Sequence, residues 1–235
     1  MTRIKPLAWN GVPIPYDEPI EALRGSLRSP GPAAWAAIRA LSEKPGRDAL
    51  AVLTEFAGHP DAHIRRAVVE AIGLHDCGRS AAGVVLAALR DPDGFVVRAG
   101  CEASARLALV GAHDVVLGLI PAREEATRLA ALQALEKLWV GTDFDAVFAR
   151  YLHDPSDRVR KQAAWVLHEH VDRKRWEVTF AAWSKDLLPR HRVWACDLSG
   201  QFGGESALAD LAALGQDVDG HVRWAAQRAV AQITA

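Results

Sequence analysis

The sequence predicts an all-α protein: an α-solenoid of about seven helix pairs, wound as a right-handed superhelix in a single domain. Three observations predict it. An arginine returns at Arg65, Arg98, Arg128, Arg160, Arg192 and Arg223, at separations of 33, 30, 32, 32 and 31 residues. An acid stands three to five residues before five of them, at Asp61, Asp93, Glu124, Asp157 and Asp219. Breaks such as His59-Pro60, Asp91-Pro92 and Asp154-Pro155 come just ahead of those acids. A period near 32 holding one helix, a turn and a second helix marks stacked repeats, each of which buries its apolar face only against its neighbours.

The clearest copy runs from Asp154 to His170. Pro155 disfavours helix at the residue before it, and Ser156 or Asp157 can accept from the first free amides of the helix that follows. Residues 1–18 carry Pro6, Pro13 and Pro15 with Trp9, Ile14 and Tyr16, and read as an arm capping the exposed end of the stack. The pairs then fall at about 19–43, 46–74, 77–109, 112–139, 142–170, 173–202 and 205–235. The first, turning at Gly31-Pro32, lacks the Asp and Arg signals, as terminal repeats do. The fourth, breaking at Pro121, matches the pattern least.

The stretches around Ile64-Arg65-Arg66, Val97-Arg98, Val159-Arg160 and Val222-Arg223 resemble HEAT repeats, in particular the short variety of phycobilisome-lyase-like proteins. The resemblance covers roughly residues 46–235. It implies the fold, and leaves function to the site, since such repeats serve as scaffolds and as enzymes.

Half of the residues are hydrophobic and 24% are charged, with a formal net charge of −1. That balance carries no global bias towards nucleic acid or membrane. No uncharged run, the one near Ala81–Leu89 included, approaches the ~20 apolar residues of a membrane helix. Neither a secretion signal nor a cysteine framework is evident, and Cys77, Cys101 and Cys196 read as reduced thiols packed as small hydrophobes. A cytoplasmic location is the expectation.

Counted from each repeated arginine, positions +2, +3, +6, +7 and +10 are mostly Ala, Val, Leu or Ile and are expected in the core. Positions +1, +4, +5 and +8 are expected outside, on the concave face lined by second helices. They supply the candidate partner-binding residues Glu102, Gln133, Lys161, Trp165, His168, Asp197, Trp224 and Arg228, joined by Glu169. Trp165 and Trp224 stand out because an exposed indole is a common binding anchor. Trp194 is expected in the core, and Trp176 and Trp183, seven apart on one helix, as packing between helices.

The arginines themselves read as structural. At a fixed register near an acidic helix start, each can bond to the neighbouring repeat's acid or to helix-end carbonyls. The function expected is a non-catalytic scaffold for a protein or peptide partner, with no cofactor and no metal. His168 and His170 are two apart on a helix and point to different sides, and the single His168-Glu169 pair contrasts with the repeated His-Glu pairs of HEAT-fold iron hydroxylases.

One alternative is DNA. Between Arg158 and Arg192 nine Lys or Arg stand against four Asp or Glu, interleaved with Trp165, Trp176 and Trp183. The segment Lys161–Glu169 is similar to one in the HEAT-fold alkylpurine DNA glycosylases. That resemblance implies a base-stacking role for Trp165, a catalytic acid at Asp93 or Asp143, and a groove arginine at Arg128. A second alternative is a small-molecule or lyase-like groove around Trp165.

Overall fold

The computed structural model describes residues 8–9, 11–28 and 31–235. Much of the expected capping arm therefore lies outside the described residues, including 1–7, residue 10 and the side chain of Trp9. The described part forms a two-residue hairpin, β1 (Ala8–Trp9) with β2 (Val12–Pro13), followed by the buried Ile14. The carbonyl of Tyr16 accepts from Lys44 Nζ at 2.9 Å, which ties the arm to the first repeats.

Fourteen helices follow among the described residues, in seven successive pairs. The first members are short: α1 (Ile20–Ser26), α3 (Arg47–Glu55), α5 (Ala82–Ala88), α7 (His113–Gly118), α9 (Phe144–His153), α11 (Trp176–Trp183) and α13 (Leu208–Leu214). The second members are α2 (Pro32–Leu41), α4 (Ala62–Leu74), α6 (Gly94–Arg106), α8 (Glu125–Leu138), α10 (Asp157–His170), α12 (Pro189–Phe202) and α14 (Gly220–Thr234). From α4 onward the second members run 13 to 15 residues, about 20 Å each. They carry most of the packing.

The residues divide into two compact units, 1–163 and 164–235, with the division inside α10. In the first unit, α4 packs on α6 and α6 on α8, through buried Ile64, Val68, Ile72, Val96, Ala103, Leu132 and Leu135. In the second, α12 packs on α14 and α11 on α12, around Trp183, Ala195, Cys196, Leu198, Val222 and Ala225. Each fully buried Leu, Ile or Val contributes roughly 1.5–3 kcal/mol.

Helix starts follow the acids. Asp61 accepts from His63 N at 2.7 Å, Asp93 from Phe95 N at 2.8 Å, and Asp219 from His221 N at 2.8 Å. Ahead of α10 it is Ser156 that caps, accepting from Val159 N at 3.4 Å, while Asp157 pairs with Lys161 at 2.5 Å. Glu124 occupies the cap position of α8 without capping it and pairs with Arg98 instead.

The arginine ladder forms through a different set of acids from the caps. Arg65 donates to both oxygens of Asp91, Arg128 to both of Asp154, and Arg192 to both of Asp217, all between 2.7 and 2.9 Å. Each of these aspartates precedes the turn of the next pair and also accepts the backbone N–H two residues on. Each arginine also donates to two carbonyls at the end of its own turn, such as His59 and Pro60 for Arg65. The bidentate rungs fall on every second repeat. Arg98 makes one 3.3 Å contact with exposed Glu124, Arg160 donates to the Asp154 carbonyl at 2.6 Å, and Arg223 donates to the carbonyls of Asp217 and Val218.

Candidate functional site

In the second unit the outward registers of α10, α12 and α14 bear aromatic rings. Trp165 is 40% exposed and Trp224 60% exposed. Trp194, expected in the core, is only partly buried. It is the hub of a cluster: His168 stacks on it at 4.4 Å, His191 at 5.3 Å, and the rings of Trp183 and Trp165 lie 5.6 and 6.0 Å away. Trp183 is fully buried, so the cluster runs from the core of the unit to its surface. The signal in the sequence was the spacing of three that puts His191 and Trp194 on one side of α12.

The charges around these rings are already matched. Asp197 forms an ion pair with Arg228, whose guanidinium lies 4.6 Å from the ring centre of exposed Trp224. Glu169 lies 3.2 Å from His168 Nδ1, and buried His191 Nδ1 lies 2.9 Å from Asp186. The arrangement offers indole surface edged by paired charges. Lys161, one turn before Trp165 on α10, is exposed and pairs with Asp157.

Glu102 and Gln133 belong to the first unit and line a groove there of about 980 Å³, between the outward faces of α4, α6, α8 and the start of α10. Glu102 accepts from Arg106 at 2.6 Å, and Gln133 is exposed. A smaller hollow of about 380 Å³ lies between α2 and α4, with Trp35, Ile38, Ala71 and Leu74 as its apolar wall and Arg39 and Arg66 beside it. Trp35 meets His63 edge-on at 6.4 Å there. The expected +4 surface positions are corrected: Val69, Leu132, Ala164 and Cys196 are buried. These four are apolar and pack inwards, whereas the polar Glu102 and Gln227 at the same register are exposed.

Of the residues that the glycosylase resemblance singled out, Trp165 is exposed, whereas the candidate acids and the candidate arginine make structural contacts. Asp93 caps α6. Asp143 is fully buried and lies 2.9 and 3.0 Å from Nε2 of His113, while it also accepts the N–H of Val140. Arg128 forms the most buried of the three bidentate rungs. His75, Asp76 and Cys77 bring an imidazole, a carboxylate and a thiol within 4.8 Å of one another, but this carboxylate accepts the N–H groups of Cys77 and Gly46 and so caps a turn. Burial pushes the thiols of Cys101 and Cys196 up to about 12, which keeps them protonated.

A family model described as HEAT repeats matches residues 17–106 and 144–231. The unmatched stretch holds α7 and α8, the pair whose sequence fits the pattern least. No curated protein matches the chain. Among solved structures, an engineered protein aligns with a TM-score of 0.62 at 17% identity, covering 92% of this chain and 68% of that one. The complex of CpcE and CpcF of phycocyanin lyase from a Nostoc species aligns at 0.58 and 17%, covering 98% and 92%. The Escherichia coli protein YibA aligns at 0.53 and 15%, covering 93% of each chain. At such identities the likeness is one of fold.

Proposed function

The chain belongs to the HEAT-repeat family, and from that premise we propose that it is a non-catalytic scaffold whose second unit docks a protein partner. The docking face comprises Trp165, His168, Glu169, Asp197, Trp224 and Arg228. The observation that carries this is the exposure of two indoles, Trp165 and Trp224, on helices whose other faces are packed. An indole left in water is a large unclaimed apolar surface, and contacts that bury Trp in a ring of polar groups dominate many interfaces. Arg228, held between Trp224 and Asp197, presents its ring partner in a fixed orientation, so little side-chain entropy is lost on docking.

The test is affinity capture from the native host, with the captured proteins identified by mass spectrometry. Wild-type protein should retain a partner that Trp224→Ala and Trp165→Ala both lose by about tenfold or more, as expected for anchors worth roughly 2 kcal/mol. Circular dichroism should show that Trp224→Ala melts as the wild type does, because that side chain is mostly in solvent. A partner retained equally by both variants would place the interface elsewhere.

A further inference from the structure

The groove of the first unit has a character that the aromatic face does not share. Its floor is made of short side chains, Ala99, Ala126 and Ala130, with Leu129, so a ligand backbone can come close. Its walls carry five cations: Arg66, Arg98, Arg106, Lys137 and Arg158. Only two carboxylates, Glu70 and Glu102, stand in the lining, and they are matched by Arg66 at 2.7 Å and Arg106 at 2.6 Å. The other three cations reach acids outside the lining. Arg98 meets Glu124 at 3.3 Å, Arg158 meets Glu125 at 3.4 Å, and Lys137 meets Glu136 at 2.9 Å. The first two are single contacts to well-exposed carboxylates, which cost little to exchange. The lining itself therefore carries five cations against two carboxylates, and the acids that meet the other three stand outside it.

Its lining includes Phe95, 55% exposed, with the guanidinium of Arg98 at 4.2 Å from its ring centre and that of Arg66 at 5.8 Å. An apolar ring flanked by two cations suits a ligand that alternates carboxylates with apolar or small residues. Four helices at 8–10 Å spacing span about 24–30 Å, the length of about eight extended residues.

We propose that this groove binds an extended acidic segment of a protein partner, seated over Phe95 with its carboxylates on Arg98, Lys137 and Arg158. The assignment rests on the scaffold reading and gives it a second surface with a stated chemistry. Glu70 and Glu102 decide for a peptide over nucleic acid. A phosphate backbone is charged at every step and would meet these carboxylates in any register, whereas a peptide can set an uncharged residue against each.

The test is fluorescence anisotropy of the intact protein with a labelled peptide of about eight residues in which Glu alternates with Ser and one Phe. Two further probes complete it: the same peptide with Lys in place of Glu, and a single-stranded oligothymidine of similar length. The acidic peptide should bind at about 50 mM salt and weaken as salt rises, and the Lys peptide should bind at least about tenfold more weakly. Arg98→Glu and Lys137→Glu should each cost about tenfold with unchanged helical content, and Lys137→Glu guards against misfolding because its side chain is 65% exposed. Equal binding of the Lys peptide, tighter binding of the oligonucleotide, or no change in anisotropy would overturn the assignment. If any of these results accompanied a Trp224-dependent partner in affinity capture, the groove would be excluded while the scaffold reading stood.

Discussion

Arg128 and Asp154 set the scale of what single residues contribute. The Arg128 side chain is 8% exposed and that of Asp154 is fully buried; two parallel N–H donors meet two oxygens, and the remaining donors reach the carbonyls of Ala122 and Arg123. Arg128→Ala would strand a buried carboxylate, with Arg150 the remaining cation beside it among the described residues, at 3.6 Å. A loss of about 3–5 kcal/mol is expected, measured as a fall in the urea midpoint at constant slope. Arg98→Ala should cost less than about 1 kcal/mol, since its contact is single and its partner exposed. Equal losses would refute the distinction between rungs. The recurrence of the arginines was legible in the sequence, but the choice of acid was not. Asp91, Asp154 and Asp217 sit ahead of the turn, and only the packed geometry separates them from the caps that follow. Register put Trp165 and Trp224 on outward positions but did not decide between exposure and core, which the packed helices settle at 40% and 60% exposed. The partial exposure of Trp194 was not legible, because its ring neighbours His168 and Trp183 come from other helices and meet it only in the packed structure.

At the scale of helices, seven pairs and the breaks between them could be read from period, Pro and Asp, since each turn needs those residues where it stands. What could not be read is how the helices end. Helix α6 closes in a Schellman motif: Leu109 N–H donates to Ser104 O at 3.0 Å and Ala108 N–H to Ala105 O at 3.1 Å, with Ala108 in the left-handed region at φ 47°. Alanine lacks any of the usual signals for that conformation, which glycine adopts without a Cβ penalty. Ala108→Gly should therefore stabilise the protein by about 0.5–1 kcal/mol, even though it raises the entropy of the unfolded chain. Thermal unfolding checks this. A lower melting temperature would mean that the turn tolerates Ala without strain. The groove of the first unit was also hidden from the sequence, because its charges come from four helices whose side-by-side order becomes informative only when they are stacked.

For the whole molecule, the two kinds of buried ionic contact predict how stability depends on pH. No helix among the described residues is long and apolar enough to cross a membrane. Hydrogen bonds from Arg65 and Arg192 hold Asp91 and Asp217 below the usual carboxylate range. At Asp154 burial acts the other way, but the Arg128 hydrogen bonds, the Ser156 N–H and two nearby cations outweigh it, and that group is lowered too. A lowered group binds fewer protons folded than unfolded in acid. Its contribution is present above the unfolded value of about 4 and is lost as pH falls through the folded value. His113 has the opposite sign. Burial would lower it, yet hydrogen bonds and charge from Asp114 and Asp143 raise it, so its contribution is complete below about 6.5 and is lost as pH rises through the folded value. All four contributions coexist only between about pH 4 and 6.5. The urea midpoint should therefore peak at about pH 5–6, fall steeply in acid where three aspartates take up protons, and fall gently above about pH 7. His113→Gln should remove the gentle basic decline and leave the acid limb intact. A wild-type midpoint that stays flat from about pH 6 to 8, or an unchanged basic decline in His113→Gln, would mean that the His113 pair does not contribute in this way.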